Sequence, residues 1–465
     1  MSENVYEALA RTALLIERDI FGPGTDHRSV IDGLRATTAR IITDRFNVSS
    51  PAGQTALVTL YAQLAMMGLQ IDLDVPTIGL LAEQPPVRDG DLPSGLLDYS
   101  DDLLPGGSSW PGAEPDVTFV LGDAPAPPGA VRVSGTAWRA TVGRFSSATP
   151  WQGAGPVGAM AAASAAAVEG LRAALPHIAE VLGRPVPQDP RWQPSPASHV
   201  DVDLSRYQVD GPVQLGDVDV ISGGAITNAA LYTLLRVPGL SAALRVVEPE
   251  SLDLSNLNRY ALARRSMVAV LKNRILEGFT TAAIRITGVD ETFDETTAPQ
   301  LAPIASRLLV GVDHIPSRWI AQRAAAAGWI CVGASSHDFV LVSAHPPGSA
   351  CAGCVHTRDD PTVGHIPTIS FVSFWAGLLQ ALELITEGAG RPTPWSTTTH
   401  VWPFSLQNPR GIHPFRQDAV PNCPVECPPF ERVSARSLIS AWAPATSRPC
   451  PSRTRSPATV GAAAS

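Results

Sequence analysis

The sequence predicts an α/β protein with two Rossmann-like halves, and two observations carry this prediction. An apolar strand, Val218 to Ile221, leads through a small-residue turn, Ser222 to Thr227, into an apolar helix, Asn228 to Leu235. This is the strand, tight turn and helix of a nucleotide-binding βαβ unit, whose helix N-terminus offers free backbone N–H groups to a phosphate. The stretch Val117 to Asp123 is also similar to Arg307 to Asp313, which indicates an internal repeat. Chance likeness between strand–helix units is the alternative explanation.

Length and composition limit the classes of protein that fit. At 465 residues the chain is too long for one compact core, and two or three domains are expected. The apolar content of 45% supports globular packing. The net charge is −9 and the sequence has no Lys/Arg run, so we exclude nucleic acid as a partner.

The sequence also predicts a cytosolic protein without a membrane partner. The stretch Met1 to Asn4 lacks the basic start of a signal peptide. The most apolar run, Pro156 to Leu175, is mostly Ala and is interrupted by Glu169 and Arg172, which favours a buried helix over a membrane span. In the cytosol, the six cysteines are expected as thiols or metal ligands rather than disulfides.

The first half shows a strand–helix–strand pattern without a phosphate-binding loop. A β-like run, Arg40 to Thr43, precedes an apolar helix, Gln54 to Met67, and a strand, Leu69 to Leu73. The turn before the helix, Ser49 to Gly53, offers a helix start with Pro in the first turn but carries a single Gly. The nucleotide-binding turn of this half is therefore expected to be degenerate.

The later part of each half follows the same plan. Val131 to Val142 is typical of a hairpin, as is Ile330 to Ser343. Each is followed by an apolar helix, Val157 to Leu175 in the first half and Phe374 to Ile385 in the second. Residues 84 to 116, rich in Pro, Gly, Asp and Ser, are predicted to form a long surface connection.

These patterns predict three boundaries. A degenerate Rossmann-like domain is expected over 1–182, followed by a Pro-rich linker over 183–204 and a second domain over 205–430. The residues 431–465 are dominated by Ser, Arg, Pro and Ala and are expected to be disordered.

The second half carries the most specific motif. A strand, Leu244 to Val247, ends at Glu248, about 20 residues after the Gly-Gly turn, where such folds bind a ribose hydroxyl. The string Leu-Ser-Asn-Leu-Asn-Arg follows at Leu254 to Arg259, and Lys272 stands thirteen residues after its Arg.

A further strand of this half, starting at Leu308, ends in Asp313, and Arg318 follows five residues later. Together these features, over about residues 205 to 430, resemble the ThiF/MoeB family of ATP-dependent adenylyltransferases, which are related to ubiquitin-activating enzymes. The resemblance implies an adenylation-type second domain that uses ATP and Mg²⁺ to activate a carboxylate.

The resemblance also implies the roles of individual residues. Arg259 and Lys272 would clamp the phosphates, and Asn256 would add a polar contact. Glu248 would take the ribose hydroxyls. Asp313 would hold Mg²⁺ or position the attacking carboxylate, which makes it catalytic together with the two cations. The turn of the nucleotide site would be formed by Gly223 and Gly224.

The chain departs from the family pattern at the turn. Family members carry Gly-x-Gly-Gly-x-Gly, but Ile221 and Ile226 stand at the outer glycine positions. If those positions need positive φ or close approach to phosphate, isoleucine would be strained or would block the nucleotide. The Asp-Asn pair of the family is Asp313-His314 here, and the ribose acid is Glu248 rather than Asp.

Two cysteine pairs predict a structural zinc site. A tetrahedral thiolate site needs four soft ligands in two local pairs, and the sequence supplies them about seventy residues apart. The pairs are Cys351 with Cys354 and Cys423 with Cys427. The family often has this site, with two residues between the cysteines of each pair, whereas the second pair here has three. Free thiols or a redox pair are the alternative, and His356 or His413 could replace one ligand.

A thioester intermediate is not expected. Many ubiquitin-activating relatives carry a catalytic Cys in the crossover segment, but His356 to Ser373 contains none, Cys331 lies in an apolar strand and Cys450 lies in the tail. The expected substrate is the C-terminus of a ubiquitin-like or sulfur-carrier protein, or of a small peptide. The degenerate first half would replace a dimer partner, giving a monomer with an internal pseudo-dimer, or a homodimer.

Two other functions compete with adenylation. A catalytically inactive, zinc-stapled scaffold would explain the lost glycines. A dinucleotide-linked oxidoreductase would use the βαβ unit with Glu248, but the Ser-Asn-Leu-Asn-Arg string and Lys272 argue against it.

Overall fold

The structure is a computed structural model that describes residues 3–87, 90–106, 114–193, 199–359, 366–406 and 412–427. The predicted disordered tail, 431–465, with its Cys450, lies outside these ranges, as do the last residues of the predicted second domain, 428–430.

Strands and helices alternate along most of the described chain. The strands are β1 Thr38–Ile42, β2 Gln70–Asp74, β3 Val117–Leu121, β4 Val131–Gly135, β5 Arg139–Gly143, β6 Val200–Asp203, β7 Val213–Ile221, β8 Leu240–Val247, β9 Ile284–Val289, β10 Arg307–Val310, β11 Trp329–Ser336, β12 Phe339–His345, β13 Thr397–Val401 and β14 Ile412–Arg416. The helices are α1 Glu3–Ile16, α2 His27–Ala36, α3 Arg45–Val48, α4 Pro51–Met66, α5 Leu92–Leu103, α6 Val157–Leu182, α7 Ala225–Leu234, α8 Lys272–Glu277, α9 Ile315–Ala324, α10 Ala352–Val355 and α11 Ser370–Gly388.

The strands form two mixed sheets in which parallel pairing dominates the centre. The first sheet has the order β2-β1-β3-β4-β5-β6, and its first four strands are parallel. The second has the order β14-β13-β12-β11-β10-β7-β8-β9, with β11 to β9 parallel and β12 to β14 antiparallel. The structure is therefore mixed α/β, as predicted.

The two sheets share a core arrangement. In the first, β1 lies between β2 and β3, and β4 adds beside β3 before the chain turns back as β5. In the second, β7 lies between β8 and β10, and β11 adds beside β10 before the chain turns back as β12. Strand order and direction thus agree with the predicted internal repeat, and both predicted hairpins are present.

Helices α4, α6, α7 and α11 pack between the halves, and polar contacts cross this interface. The hydroxyls of Thr59 and Tyr232 lie 2.8 Å apart, and the Ser370 hydroxyl donates to the carbonyl of Gln63 at 3.2 Å. All four residues are buried. The start of α4 is the predicted one, because the Ser50 side chain accepts the N–H of Gly53.

The prediction of a long surface connection over 84–116 was wrong in its centre, where α5 forms and buries one face. Asp91 caps this helix by accepting the N–H of Ser94 at 3.0 Å. Its buried face consists chiefly of Leu92, Leu96, Tyr99 and Leu103. Their spacing of three and four residues is helical, but the surrounding Pro, Gly and Asp residues obscured it.

Part of the predicted linker 183–204 belongs to the packed structure. Its last residues form β6, which pairs with β5 at the edge of the first sheet. Trp192 is buried, and its ring lies 4.7 Å from that of Phe404. The Ala-rich run beginning at Pro156 forms the buried helix α6, as predicted. None of the helices in the described ranges combines the length and apolar character that a bilayer crossing requires.

Candidate functional site

A cavity of about 390 Å³ lies at the carboxyl ends of β7, β8, β10 and β11. From β7 the chain continues into β8 on one side, and β10 later joins on the other side, so the cavity lies at the switch point where open α/β sheets bind ligands. Five of the predicted site residues line it: Gly224, Glu248, Arg259, Lys272 and Asp313.

The turn after β7 is held from the end of β8. Glu248 is 6% exposed, and its Oε2 accepts the N–H of Gly223 at 2.7 Å. The Ser222 hydroxyl accepts the N–H of Gly224 at 3.0 Å. A Cβ on Gly223 would stand 2.9 Å from Glu248 Cγ and 3.1 Å from Lys272 Cβ, so the close approach requires glycine here. Two N–H groups of the turn are therefore engaged within the protein.

The two isoleucines at the outer positions of the turn are accommodated. The left-handed conformation falls on Ser222, with φ of 96°, and on neither Ile221 nor Ile226. A Cβ on Gly333, in β11, would lie 2.8 Å from Ile226 Cγ2, so the absence of a side chain there makes room for the isoleucine. The strain that the sequence suggested at these positions is not present.

The predicted cation Lys272 lies on the β8 side of the cavity. Its side chain is 7% exposed and its ammonium group pairs with Glu250 at 2.5 Å. It also lies 5.9 Å from the centre of the Tyr260 ring. Burial by itself would lower the pKa of Lys272, but Tyr260 and the Glu250 and Glu248 carboxylates raise it overall. The residue therefore carries a positive charge at neutral pH.

Arg259 lies beside it in the cavity wall. Its Nη1 donates to the carbonyl of Ser255 at 2.5 Å and to Asn258 Oδ1 at 2.7 Å. Burial lowers the pKa of Arg259, and Tyr260 and Asp313 raise it in part. The guanidinium is thus oriented by the residues of its own motif.

A third cation, Arg11, enters the cavity from α1, and sequence reasoning missed it. Its Nη1 donates to the carbonyl of Ile366 at 3.3 Å. Burial and the nearby Arg259 lower its pKa, and Asp313 raises it in part. Only the tertiary fold brings a residue of the N-terminal helix to this place, since no motif surrounds Arg11 in the sequence.

Asp313 follows β10 and is exposed at the cavity wall. Arg318, five residues later, does not line the cavity. Its Nε and Nη2 donate to the carbonyl of Val312 at 3.0 and 2.8 Å, and burial lowers its pKa to about 10. Arg318 therefore supports the loop that carries the carboxylate. A magnesium site at Asp313 stays a prediction.

The structure does not bring Gly223 and Asn256 to the cavity surface. Gly223 is covered by Glu248, as described above. Asn256 Oδ1 accepts the N–H of Asp253 at 3.1 Å in a capping box. Its side chain lines an adjoining chamber of about 630 Å³, which shares Arg11 and Lys272 with the main cavity.

Hydroxyl groups line the opposite side of the cavity, beside β11 and the start of α11. Ser373 Oγ lies 3.1 Å from Thr368 Oγ1 and 3.4 Å from Ser335 Oγ. Ser373 and Thr368 are 2% and 6% exposed. One side of the cavity is therefore cationic and the other offers neutral hydrogen-bonding groups.

The four predicted metal ligands lie together outside the cavity, with all four Sγ atoms within 4.8 Å of one another. Cys351 Sγ is 3.8 Å from Cys354 Sγ and 3.2 Å from Cys423 Sγ, and Cys354 Sγ is 3.4 Å from Cys427 Sγ. A tetrahedron with zinc–sulfur bonds of about 2.3 Å has edges of about 3.8 Å, so this donor set fits zinc. The extra residue in the second pair is accommodated.

The two histidines that could replace a zinc ligand lie elsewhere, and so does Cys331, the cysteine considered as a thioester nucleophile. His356 contacts Arg318, and His413 belongs to β14. Cys331 is buried in β11, and burial raises the pKa of its thiol, which keeps it protonated.

Comparisons with known proteins match parts of the chain. It is similar to an uncharacterized protein, y4jF, of Sinorhizobium fredii (strain NBRC 101917 / NGR234), with 32% identity over 174 residues that cover 34% of this chain and 33% of that relative. It is also similar to E. coli MccB solved with AMPCPP and MccA, with 17% identity, a TM-score of 0.39, and coverage of 45% of this chain and 66% of MccB. For PaaA the identity is 14% and the TM-score 0.33, with 44% of this chain and 65% of PaaA covered. No protein-family model matches. The chain thus spans about a third of y4jF and slightly less than two thirds of MccB.

Proposed function

We propose that the protein is an ATP-dependent adenylyltransferase that activates a carboxylate without a thioester intermediate. The observation that carries the proposal is the convergence of three cationic side chains and the Asp313 carboxylate on a cavity at the switch point of the second sheet, which Glu248 and Glu250 also line. The three cations are Arg11, Arg259 and Lys272.

The chemistry explains why this set is needed. A carboxylate oxygen attacks the α-phosphorus of ATP, and an acyl–phosphate bond forms as the bond to the bridging oxygen breaks. Pyrophosphate leaves with the electron pair, so negative charge grows on the phosphate oxygens. Fixed cations in a partly buried site stabilise that charge. Arg11, Arg259 and Lys272 would supply this positive charge from the cationic side of the cavity.

Asp313 would orient the reactants. A bound Mg²⁺ would supply further positive charge at the phosphates, and a carboxylate is a ligand that Mg²⁺ prefers. Asp313 is exposed to the cavity, and both Arg259 and Arg11 lie close enough to interact with its charge. Glu248, whose oxygens already accept two backbone N–H groups, keeps lone pairs for a ribose hydroxyl.

The acyl substrate would lie on the hydroxyl side of the cavity. Ser335, Thr368 and Ser373 can donate and accept hydrogen bonds, as the end of a polypeptide requires. We propose the C-terminus of a ubiquitin-like or sulfur-carrier protein, or of a small peptide, as this substrate.

A specific observation favours the inactive scaffold as a second candidate. Lys272 is paired with Glu250, and the N–H groups of Gly223 and Gly224 are engaged by Glu248 and Ser222. An ATP molecule would have to displace the Glu250 carboxylate, 70% exposed, to reach Lys272.

Two measurements decide between these candidates. Thermal unfolding with ATP and Mg²⁺, compared with NAD and NADP, tests binding: a ligand at a hundred times its dissociation constant adds about 2.7 kcal/mol. ATP–pyrophosphate exchange with peptides and carrier proteins tests the chemistry. Stabilisation by ATP together with substrate-dependent exchange is expected. Stabilisation by NAD alone would favour the oxidoreductase, and no response to any nucleotide would favour the scaffold.

A further inference from the structure

The cysteine cluster and the Asp313 loop are joined by helix α9, which begins directly after that loop. At the cluster end, Gln322 Oε1 accepts the N–H of Ala352, between the first two cysteines, at 2.9 Å. Trp319 Nε1 donates to the carbonyl of His356 at 2.7 Å. The short helix that carries Cys354 is therefore fixed to one face of α9.

Arg318 continues this connection to the cavity. Its guanidinium is 6% exposed and donates twice to the carbonyl of Val312, the residue before Asp313. On its other side, Nη1 lies 3.0 Å from His356 Nδ1. Because a guanidinium can only donate, Nδ1 of His356 is the acceptor. His356 stands two residues after Cys354, so one buried side chain contacts both the cluster segment and the loop.

The geometry points to a positioning role for this connection. We propose that the metal-loaded cysteine cluster sets the position of Asp313 through His356, Arg318 and the Val312 carbonyl, in addition to stabilising the fold. The proposal rests on the proposed function only where it gives Asp313 a catalytic use.

The physical reason is the cost of a buried cation without acceptors. If the segment Cys351 to His356 moves, Arg318 loses the acceptor at His356 Nδ1 inside the protein. Leaving the buried Nη1 donor unpaired is unfavourable, so the guanidinium turns toward water to regain an acceptor, and this turn breaks its hydrogen bonds to the Val312 carbonyl. The loop bearing Asp313 then loses the two hydrogen bonds that Arg318 donates to it.

Hydrogen exchange measured by mass spectrometry tests the connection without nucleotide or substrate, so its result is independent of the proposed function. The segment 311–319 is compared in the zinc-loaded protein and after chelation, with β7 as an internal reference for global stability. Chelation is expected to speed exchange in 311–319 by about tenfold, as the loss of a hydrogen bond to a charged group implies. Unchanged exchange in 311–319, with faster exchange in 351–356, would overturn the proposal.

Substitutions give the same comparison with the metal in place. His356→Phe removes the acceptor and is expected to speed exchange in 311–319 with zinc content unchanged. His356→Gln keeps an acceptor oxygen and should restore slow exchange. Arg323→Gln is the matched control, because Arg323 lies on the same helix but is 43% exposed and pairs with Glu295. Should chelation speed exchange throughout the chain, the His356 pair decides: equal exchange in both variants would overturn the proposal.

Discussion

The two sheets have the same strand order, but the carboxyl edge of the first is filled by side chains, whereas that of the second borders a cavity. In the first, the buried Asn47 amide donates to Asp44 at 2.9 Å and to Asp123 at 3.0 Å, and its Oδ1 accepts the N–H of Trp151 at 2.9 Å. The Trp151 indole, 1% exposed, donates to the carbonyl of Val133 in β4. Side chains of the protein thus fill the place that a ligand would need.

In the second sheet the same edge is open. Asp313 follows β10 as Asp123 follows β3, but it borders a cavity with cations across it. The difference shows that strand order alone does not make a site. What matters is whether the residues after the strands use their hydrogen-bonding groups on one another or leave charged groups available to a ligand.

The largest expected effect concerns the cysteine cluster. Cys351→Ser and Cys427→Ser should each lower zinc content and reduce the free energy of unfolding by several kcal/mol, because binding energy is lost from folding. Metal analysis and denaturant unfolding measure both quantities. The control variant Cys331→Ala changes a cysteine outside the cluster, and the protein should keep its full zinc content. Stoichiometric zinc in both cluster variants would contradict a four-cysteine site.

The two aspartates at the sheet edges give the most direct comparison of the halves. Asp313→Ala should lower pyrophosphate exchange at least a hundredfold, about 3 kcal/mol, because a group acting at the transition state is lost. Asp123→Ala should leave exchange intact and lower stability by about 1 kcal/mol, since only the bond from Asn47 is lost. Equal effects of the two changes on exchange would mean that the open edge has no special role.

Arg11 tests whether the first half contributes to the cavity of the second. Arg11→Ala should reduce exchange by about 2 kcal/mol, or some thirtyfold, with little loss of stability, because the side chain is half-buried and its charge faces the cavity. Arg28→Ala is the control: that residue is exposed on α2 and pairs with Glu3. Wild-type exchange in the Arg11 variant would restrict the catalytic set to the second half.

Much of this arrangement could be predicted from sequence, and the exceptions have physical reasons. The strands, both hairpins and the cysteine pairs could be predicted from local periodicity and spacing, because these features depend on residues that are close together in sequence. Arg259 and Lys272, predicted from a motif of fixed spacing, and Asp313, predicted from the end of a strand, all line the cavity. Arg11 could not be found this way, because its distance from the motif in sequence is bridged only by the packing of α1.

The roles of Glu248 and the isoleucines were less predictable. A carboxylate at the end of β8 has the same sequence pattern whether it faces a ribose or turns to the N–H of Gly223. The effect of Ile226 depends on Gly333, more than a hundred residues away. Such compensation between distant residues leaves no local signal.

The smallest expected effect concerns the hydroxyl side of the cavity, whose counterpart in the first half is filled by Trp151. Among the three hydroxyl-bearing residues on this side, Ser373 is the central one, since it contacts both Thr368 and Ser335. Ser373→Ala removes one neutral hydrogen bond to an acyl substrate, worth about 1 kcal/mol. The expected result is an increase of about fivefold in KM for that substrate, with KM for ATP unchanged.

Ser370→Ala is the matched control for this change. Ser370 lies about one turn before Ser373 in helix α11. Its hydroxyl donates to the carbonyl of Gln63, and the residue does not line the cavity. Its loss should lower stability and leave both KM values unchanged. If Ser373→Ala instead raised KM for ATP, the nucleotide would extend to the β11 side. The acyl substrate would then have to enter from the chamber beside α1, where Arg11 and Lys272 are shared with the cavity.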